Sequence, residues 1–191
     1  MSILVTGFEP FGGASVNPSW QAVSLLPEEI MGQRVHRMML PTVYGAAADM
    51  LLARIGEVRP CIVLCSGVAG GRQGVTPELV AINYRQARIA DNAGRLFSGV
   101  PIDPAGDTAH MTRLPVNAMV DRIRDAGIPA SLSLSAGAFV CNDVYYALLR
   151  SEKALGHRGL FVHVPDAEAV STPDAARALA LCIETALEGL N

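Results

Sequence analysis

Three residues of this chain carry side chains suited to nucleophilic chemistry, each beside an apolar segment: Cys141, His163 and Glu78. Cys141 follows Leu132-Ser133-Leu134-Ser135-Ala136-Gly137-Ala138-Phe139-Val140, which reads as a strand and a small-residue turn. An amphipathic helix is predicted from around Cys141 through Leu155. A thiol in the first turn of a helix meets unsatisfied backbone N–H groups and the positive end of the macrodipole. Both favour thiolate, so a free-cysteine pKa of about 8.5 is expected to fall toward neutrality. The same N–H groups would suit the oxyanion of an attacked carbonyl. A buried structural thiol is the competing reading, since free cysteine is among the most buried residue types.

Of the four histidines, His36 sits within a strand, His110 in a polar stretch and His157 in a turn. Only His163 joins a strand terminus to a nearby stop, Pro165. Beside a strand-end thiol it reads as a general base. An acid near the imidazole would fix its tautomer and stabilise the imidazolium. Glu78 is one candidate, and Asp91, Asp103 and Asp107 compete with it on equal terms. Phe8 and Phe11 stand in a loop with Gly7, Pro10, Gly12 and Gly13, so they either pack inward or line a pocket for a flat apolar ligand. The run from Gly67 to Arg72 offers backbone N–H groups to an anion, but it has no Walker lysine and no dinucleotide fingerprint.

The elements that must position these groups alternate between strand and helix. Strands are predicted at Ile3 to Thr6, Arg34 to Leu40, Cys61 to Ser66, Ala130 to Leu134 and Gly159 to Pro165. Helices are predicted at Ser19 to Leu26 (with Asn17 as cap and Pro18 first), Val43 to Val58, Leu114 to Ala126 and Thr172 to Leu190. Glu78 to Tyr84 reads as extended, and residues 85–113 form an excursion too long for a simple connection. This pattern implies an α/β fold with a mostly parallel sheet, whose sites form at the carboxyl ends of the strands.

Composition agrees with one domain over residues 1–191. Half of the residues are hydrophobic and 17% are charged, which supplies a two-sided core. A net charge of −3, without a basic aromatic patch, gives no reason to expect nucleic acid. No apolar run is long enough for a membrane span, and residues 1–6 lack the features of a signal peptide, so a cytoplasmic location is expected. Four cysteines, Cys61, Cys65, Cys141 and Cys182, form no C-x-x-C pair and lie at no zinc-ligand spacing.

Several segments in order resemble the pyroglutamyl peptidase I family of cysteine peptidases. They are Thr6-Gly7-Phe8-Glu9-Pro10-Phe11-Gly12-Gly13 with Asn17-Pro18-Ser19, Leu40-Pro41-Thr42-Val43-Tyr44, and Gly70-Gly71-Arg72 with Glu78-Leu79-Val80-Ala81-Ile82-Asn83. Ala87-Arg88-Ile89-Ala90-Asp91-Asn92, Ala136-Gly137-Ala138-Phe139-Val140-Cys141-Asn142 and Phe161-Val162-His163-Val164-Pro165 complete the set. The resemblance implies that Cys141 is the nucleophile, His163 the base and Glu78 the orienting acid. It maps the lactam pocket onto Phe8 and Phe11, and sets Asn17 and Arg88 near the site. It further implies an open twisted α/β/α sandwich, a homotetramer, and no metal or organic cofactor. The implied reaction removes N-terminal pyroglutamate from peptides through a thioester. Many members carry Gln at the place of Val68 and Thr at that of Ala138, and valine lacks the side-chain hydrogen bond of glutamine. Two other readings of the same scaffold are a non-catalytic binder of a small molecule or anion, and a nucleoside phosphorylase-like transferase using the glycine run.

Overall fold

An apolar run buried on both faces belongs in the middle of a parallel sheet. Residues Ile62 to Gly67 show this: all six are buried. The computed structural model describes residues 2–190. Along its first part lie β1 (Ser2–Phe8), α1 (Pro18–Ser24), β2 (Glu29–Ile30), β3 (Gln33–Leu40), α2 (Ala46–Val58) and β4 (Ile62–Val68). Short strands follow: β5 (Thr76–Glu78), β6 (Val80–Ile82), β7 (Arg85–Gln86), β8 (Ser98–Val100) and β9 (Ala109–Met111). The chain closes with α3 (Val116–Asp125), α4 (Val140–Leu155), β10 (Arg158–Val164) and α5 (Thr172–Glu188).

The main sheet has the order β2-β3-β1-β4-β10-β5. Its four inner strands are parallel, and the short edge strands β2 and β5 run antiparallel to their neighbours. Alternation of side chains gives the sheet two apolar faces. Ile3, Val5, Leu64 and Val162 pack against α1, α3 and α5, while Leu4, Val63, Cys65 and Phe161 pack against α2 and α4. The result is a three-layer α/β/α sandwich around a mostly parallel sheet. Asn17 caps α1 by accepting from the Ser19 N–H, with Pro18 at the first helical position. Gly7 is required by this packing, because a Cβ there would lie 2.7 Å from the Trp20 Cα.

Three local expectations change. The helix expected from Val43 begins at Ala46, after Gly45 takes φ 73°. Residues 85–113 are organised: β7 pairs with β8, and β9 returns to pair with β6. The stretch Ala130 to Leu134 is extended but is no strand of the sheet; it makes only isolated bridges, Val75 to Ala130 and Glu78 to Ser133. Pro77 explains the interruption, since it has no N–H to donate between those two bridges.

Candidate active site

The carboxyl ends of β4 and β10 lie side by side, with Gly67 directly opposite His163. Helix α4 begins above them. Gly137, at φ 79°, turns the chain, and Cys141 falls in the first helical turn. A Cβ on Gly67 would lie 2.8 Å from Cys141 Sγ and 3.0 Å from Phe161 Cζ. Only glycine lets the thiol settle onto β4 at this point. His163 follows Phe161 on the same face of β10, their ring centroids 4.8 Å apart. Thiol and imidazole therefore share one face and one end of the sheet.

Glu78 approaches His163 from the edge strand β5. His163 Nδ1 donates to Glu78 Oε1 at 2.7 Å, with both side chains almost fully buried. Arg72 Nη1 donates to the same oxygen at 2.7 Å, and its Nη2 reaches Ser135 O at 3.2 Å. Arg72 also donates to Thr76 Oγ1. The Glu78 main chain is fixed in turn by the Tyr145 hydroxyl, which donates to its carbonyl at 2.8 Å. Asp91, Asp103 and Asp107 act elsewhere. Asp91 accepts from the Tyr44 N–H, Asp103 pairs with Arg150, and Asp107 is exposed.

The charges follow from these contacts. Burial alone would raise the Glu78 carboxyl, but the hydrogen bond from His163, helped by Ser133 and Arg72, outweighs it and holds it below the usual range. Burial lowers the His163 imidazole; Glu78 opposes this and Arg72 adds to it, leaving the net shift downward. At neutral pH the pair is an ionised carboxylate and a neutral imidazole, with Nδ1–H toward Glu78 and Nε2 free to accept a proton. Cys141 departs from expectation. It keeps some contact with the cavity, yet protein atoms surround the sulfur, and burial pushes its thiol up to about 12. The Glu78 charge adds to the rise, while its own backbone N–H and Arg72 only partly offset it. A helix terminus contributes roughly 0.3–1 kcal/mol when exposed, whereas desolvation moves a pKa by up to about 3–5 units. Burial around the sulfur thus favours the thiol over the thiolate in the resting site.

A cavity of about 280 Å³ opens over Cys141 and His163. Phe8, Phe11, Phe139 and Val68 supply much of its apolar wall, and Asn17 and Thr42 also border it. Phe11 and Phe139 lie with centroids 6.0 Å apart, and Tyr44 meets Phe139 edge-on at 5.4 Å. Phe8 is both buried and cavity-lining, packing on Phe161 at 6.4 Å. Asn17 serves the loop itself. Its Nδ2 donates to Glu9 O at 3.0 Å and its Oδ1 accepts from Ser19 at 3.0 Å and 2.8 Å. Arg88 is not brought to this cavity: it is exposed and lines a neighbouring concavity with Tyr84, Ile89 and Phe139. Ala138 borders that second concavity, and its carbonyl accepts from the Tyr44 hydroxyl at 3.1 Å.

Two residues were missed as site residues in the sequence. Phe139 completes the aromatic wall, and its signal was an aromatic two positions before the thiol. Arg72 was read only as the end of a possible anion loop. That loop is not an open cradle, because Gly71 N–H donates to Asp166 at 3.2 Å and Arg72 N–H to Ala69 O at 3.3 Å. Its cation is already committed to Glu78. Among the described residues no group of three or more His, Cys, Asp or Glu side chains is placed to hold a metal ion.

The residues after the thiol tie the site to the excursion. Asn142 accepts from Ile82 N–H at 3.0 Å and donates to Ile82 O and Tyr84 O at 2.8 Å and 3.1 Å. Asp143 accepts from Gly45 N–H at 2.8 Å and from Arg85 Nε at 2.6 Å. A thiol, a neutral imidazole and an ionised carboxylate at the mouth of an apolar cavity can together perform acyl transfer to sulfur.

Known proteins share this architecture. The sequence model of the pyroglutamyl peptidase family matches residues 1–191. A pyrrolidone-carboxylate peptidase of Escherichia fergusonii is 45% identical over 191 residues, covering 98% of this chain and 89% of its own. One from Enterococcus faecalis is 47% identical over 167 residues, or 86% of this chain and 78% of its own. Among solved structures, pyroglutamyl peptidase I from Bacillus amyloliquefaciens superposes with a TM-score of 0.91 at 38% identity, over 97% of this chain and 94% of that one. A mutant pyrrolidone carboxyl peptidase from Pyrococcus furiosus gives 0.94 at 34% identity, with both chains covered in full. With sequence and fold alike along the whole length, the chain belongs to the pyroglutamyl peptidase family of cysteine peptidases.

Proposed function

We propose that residues 1–191 form one peptidase domain that hydrolytically removes N-terminal pyroglutamate from peptides, with Cys141 as nucleophile, His163 as general base and acid, and Glu78 as the orienting acid. The observation that carries this reading is the Glu78–His163 hydrogen bond of 2.7 Å at the cavity that Cys141 and three phenylalanines line. Because the thiol is protonated at rest, the first step joins two events. His163 Nε2 takes the Cys141 proton as sulfur attacks the carbonyl between the lactam residue and the rest of the peptide. The imidazolium so formed is stabilised by ionised Glu78. The oxyanion develops beside the Cys141 N–H at the start of α4. His163 then protonates the leaving amine as the C–N bond breaks, giving a thioester. Water attacks the thioester with His163 as base, releasing pyroglutamate and restoring the thiol.

Selectivity follows from desolvation. The lactam has no ammonium group, so the pocket of Phe8, Phe11 and Phe139 accepts it, while a free terminal amine would be costly to bury. Val68 makes one part of the wall apolar and offers the lactam no side-chain hydrogen bond there. Asn17 supports the pocket by holding the Glu9 loop, and Arg88 adds positive charge beyond Phe139. The family likeness supports peptidase chemistry over an anion binder or a nucleoside phosphorylase-like transferase. It also supports a homotetramer in the cytoplasm, working without a metal or organic cofactor; among the described residues no helix is long and apolar enough to cross a membrane. A fluorogenic pyroglutamyl amide tests the activity. Release of the fluorophore, lost in Cys141→Ser with the fold retained, is the expected result. Undiminished cleavage by that variant would remove Cys141 from the mechanism, and light scattering coupled to gel filtration reads the oligomer.

A further inference from the structure

The outer side of the stretch 130–135 is an unfilled strand edge. Toward β5 it is bonded: Ser131 N–H reaches Val75 O at 3.1 Å and Ser133 N–H reaches Pro77 O at 3.0 Å. Alternation turns the peptide groups of Leu132 and Leu134 the other way. Among the described residues, the N–H and C=O of these two leucines have no protein hydrogen-bond partner, whereas Ala130 O is capped by Arg124 Nε at 2.8 Å. Leu134 is 66% exposed. A groove of about 630 Å³ is lined by residues 129–135 together with Arg72, Gly74 and Thr76. It adjoins the Cys141 cavity, with Arg72 and Ser135 bordering both.

We propose that this groove binds the leaving side of the substrate, an extended peptide that adds as a strand to the Leu132–Leu134 edge. The inference rests on the peptidase reading and extends it past the scissile bond. Direction decides between the two neighbouring concavities. The lactam ring belongs at the aromatic end, so the departing amine must face His163. Thr76 pairs across β10 with His163 and lines this groove. The concavity of Tyr84 and Arg88 instead meets the cavity at Phe139, on the lactam side. An exposed edge recognises any chain with free amide groups. Among the described residues, the one charged side chain lining the groove, Arg72, is committed to Glu78. Recognition therefore works through the main chain and tolerates varied side chains, in contrast with the strict lactam end.

The test compares a pyroglutamyl amide reporter with pyroglutamyl peptides carrying one, two and three alanines on the leaving side. kcat/KM is expected to rise about 10-fold with length, the scale of one or two net hydrogen bonds. N-methylation at alternate leaving-side amides should abolish the gain at one register and spare it at the other. Reporter cleavage with no dependence on length or N-methylation would overturn the groove alone. Failure to cleave any pyroglutamyl substrate would overturn the peptidase reading and the groove with it.

Discussion

Arg72 and His163 end on the same atom, Oε1 of Glu78, each at 2.7 Å. The carboxylate is thus shared between a permanent cation and a base that becomes one during the reaction. Arg72→Gln is expected to lower kcat by about 10- to 100-fold with little change in KM, the scale of one charged hydrogen bond. Arg72 also lowers the His163 pKa. Its loss should therefore move the acid limb of the kcat/KM profile to higher pH. An unmoved limb would reduce Arg72 to a purely structural brace.

Gly67→Ala places a methyl group within 2.8 Å of Cys141 Sγ and 3.0 Å of the Phe161 ring. Overpacking of this kind costs about 1–3 kcal/mol. The cost should fall mainly on the thiol's position, so turnover should drop by at least about 100-fold while thermal unfolding shifts by a few degrees. Steady-state kinetics and calorimetry on the same sample separate the two effects.

A neutral imidazole facing a protonated thiol sets a distinctive pH profile. The folded His163 pKa lies below its ordinary value of about 6.5, so the active base form dominates above it. Activity should rise with an apparent pKa under 6.5 and then stay level through pH 9. A preformed thiolate–imidazolium pair would instead lose activity as the imidazolium deprotonates at alkaline pH. A falling limb between pH 7.5 and 9, the ordinary range about a free thiol, would favour that pair over proton transfer from thiol to imidazole during attack.

His157 offers a test of stability away from the site. It is buried, its Nε2 lies 3.2 Å from Leu148 O, and its Nδ1 has no partner among the described residues. Burial lowers its pKa against the raising effects of the Leu148 carbonyl and Glu152. The unfolded chain therefore takes up the proton first. This contribution to stability is complete above about pH 6.5 and is lost as pH falls toward the folded value. His163 acts in the same direction. Tm measured from pH 8 to 5 should decline below 6.5, and His157→Gln should flatten the decline; an unchanged slope would exclude His157 as a cause.

The sheet was legible because its central strands are written as short apolar runs, and no pairing partner can disguise Ile62 to Gly67. The caps at Asn17 and Pro18 were legible for a local reason, since a cap needs only its own first turn. Alternation failed at Ala130 to Leu134, where a proline on the neighbouring strand decides the ladder. Cys141 stands at a helix start as its sequence context implies, while the burial that opposes the expected fall in its pKa is not visible there. A dipole is visible in sequence, while the protein atoms around a sulfur come from β4, β10 and α4 together. Glu78 stood equal with three aspartates until β5 folded back beside β10. Arg72 was hidden by the same long-range pairing, and Arg88, expected near the site, lines the neighbouring concavity by Phe139.

Asn142 and Asp143 make the thiol's helix and the 82–85 segment one mechanical unit, while the chain's single tryptophan, Trp20, packs in the opposite layer. Fluorescence therefore reports on α1 and its layer, whereas the start of α4 answers to the excursion. Loosening of the excursion would release the grip on the start of α4 and silence turnover while Trp20 still sits in its native surroundings. In a denaturant series the enzyme would fall quiet first and look folded longest.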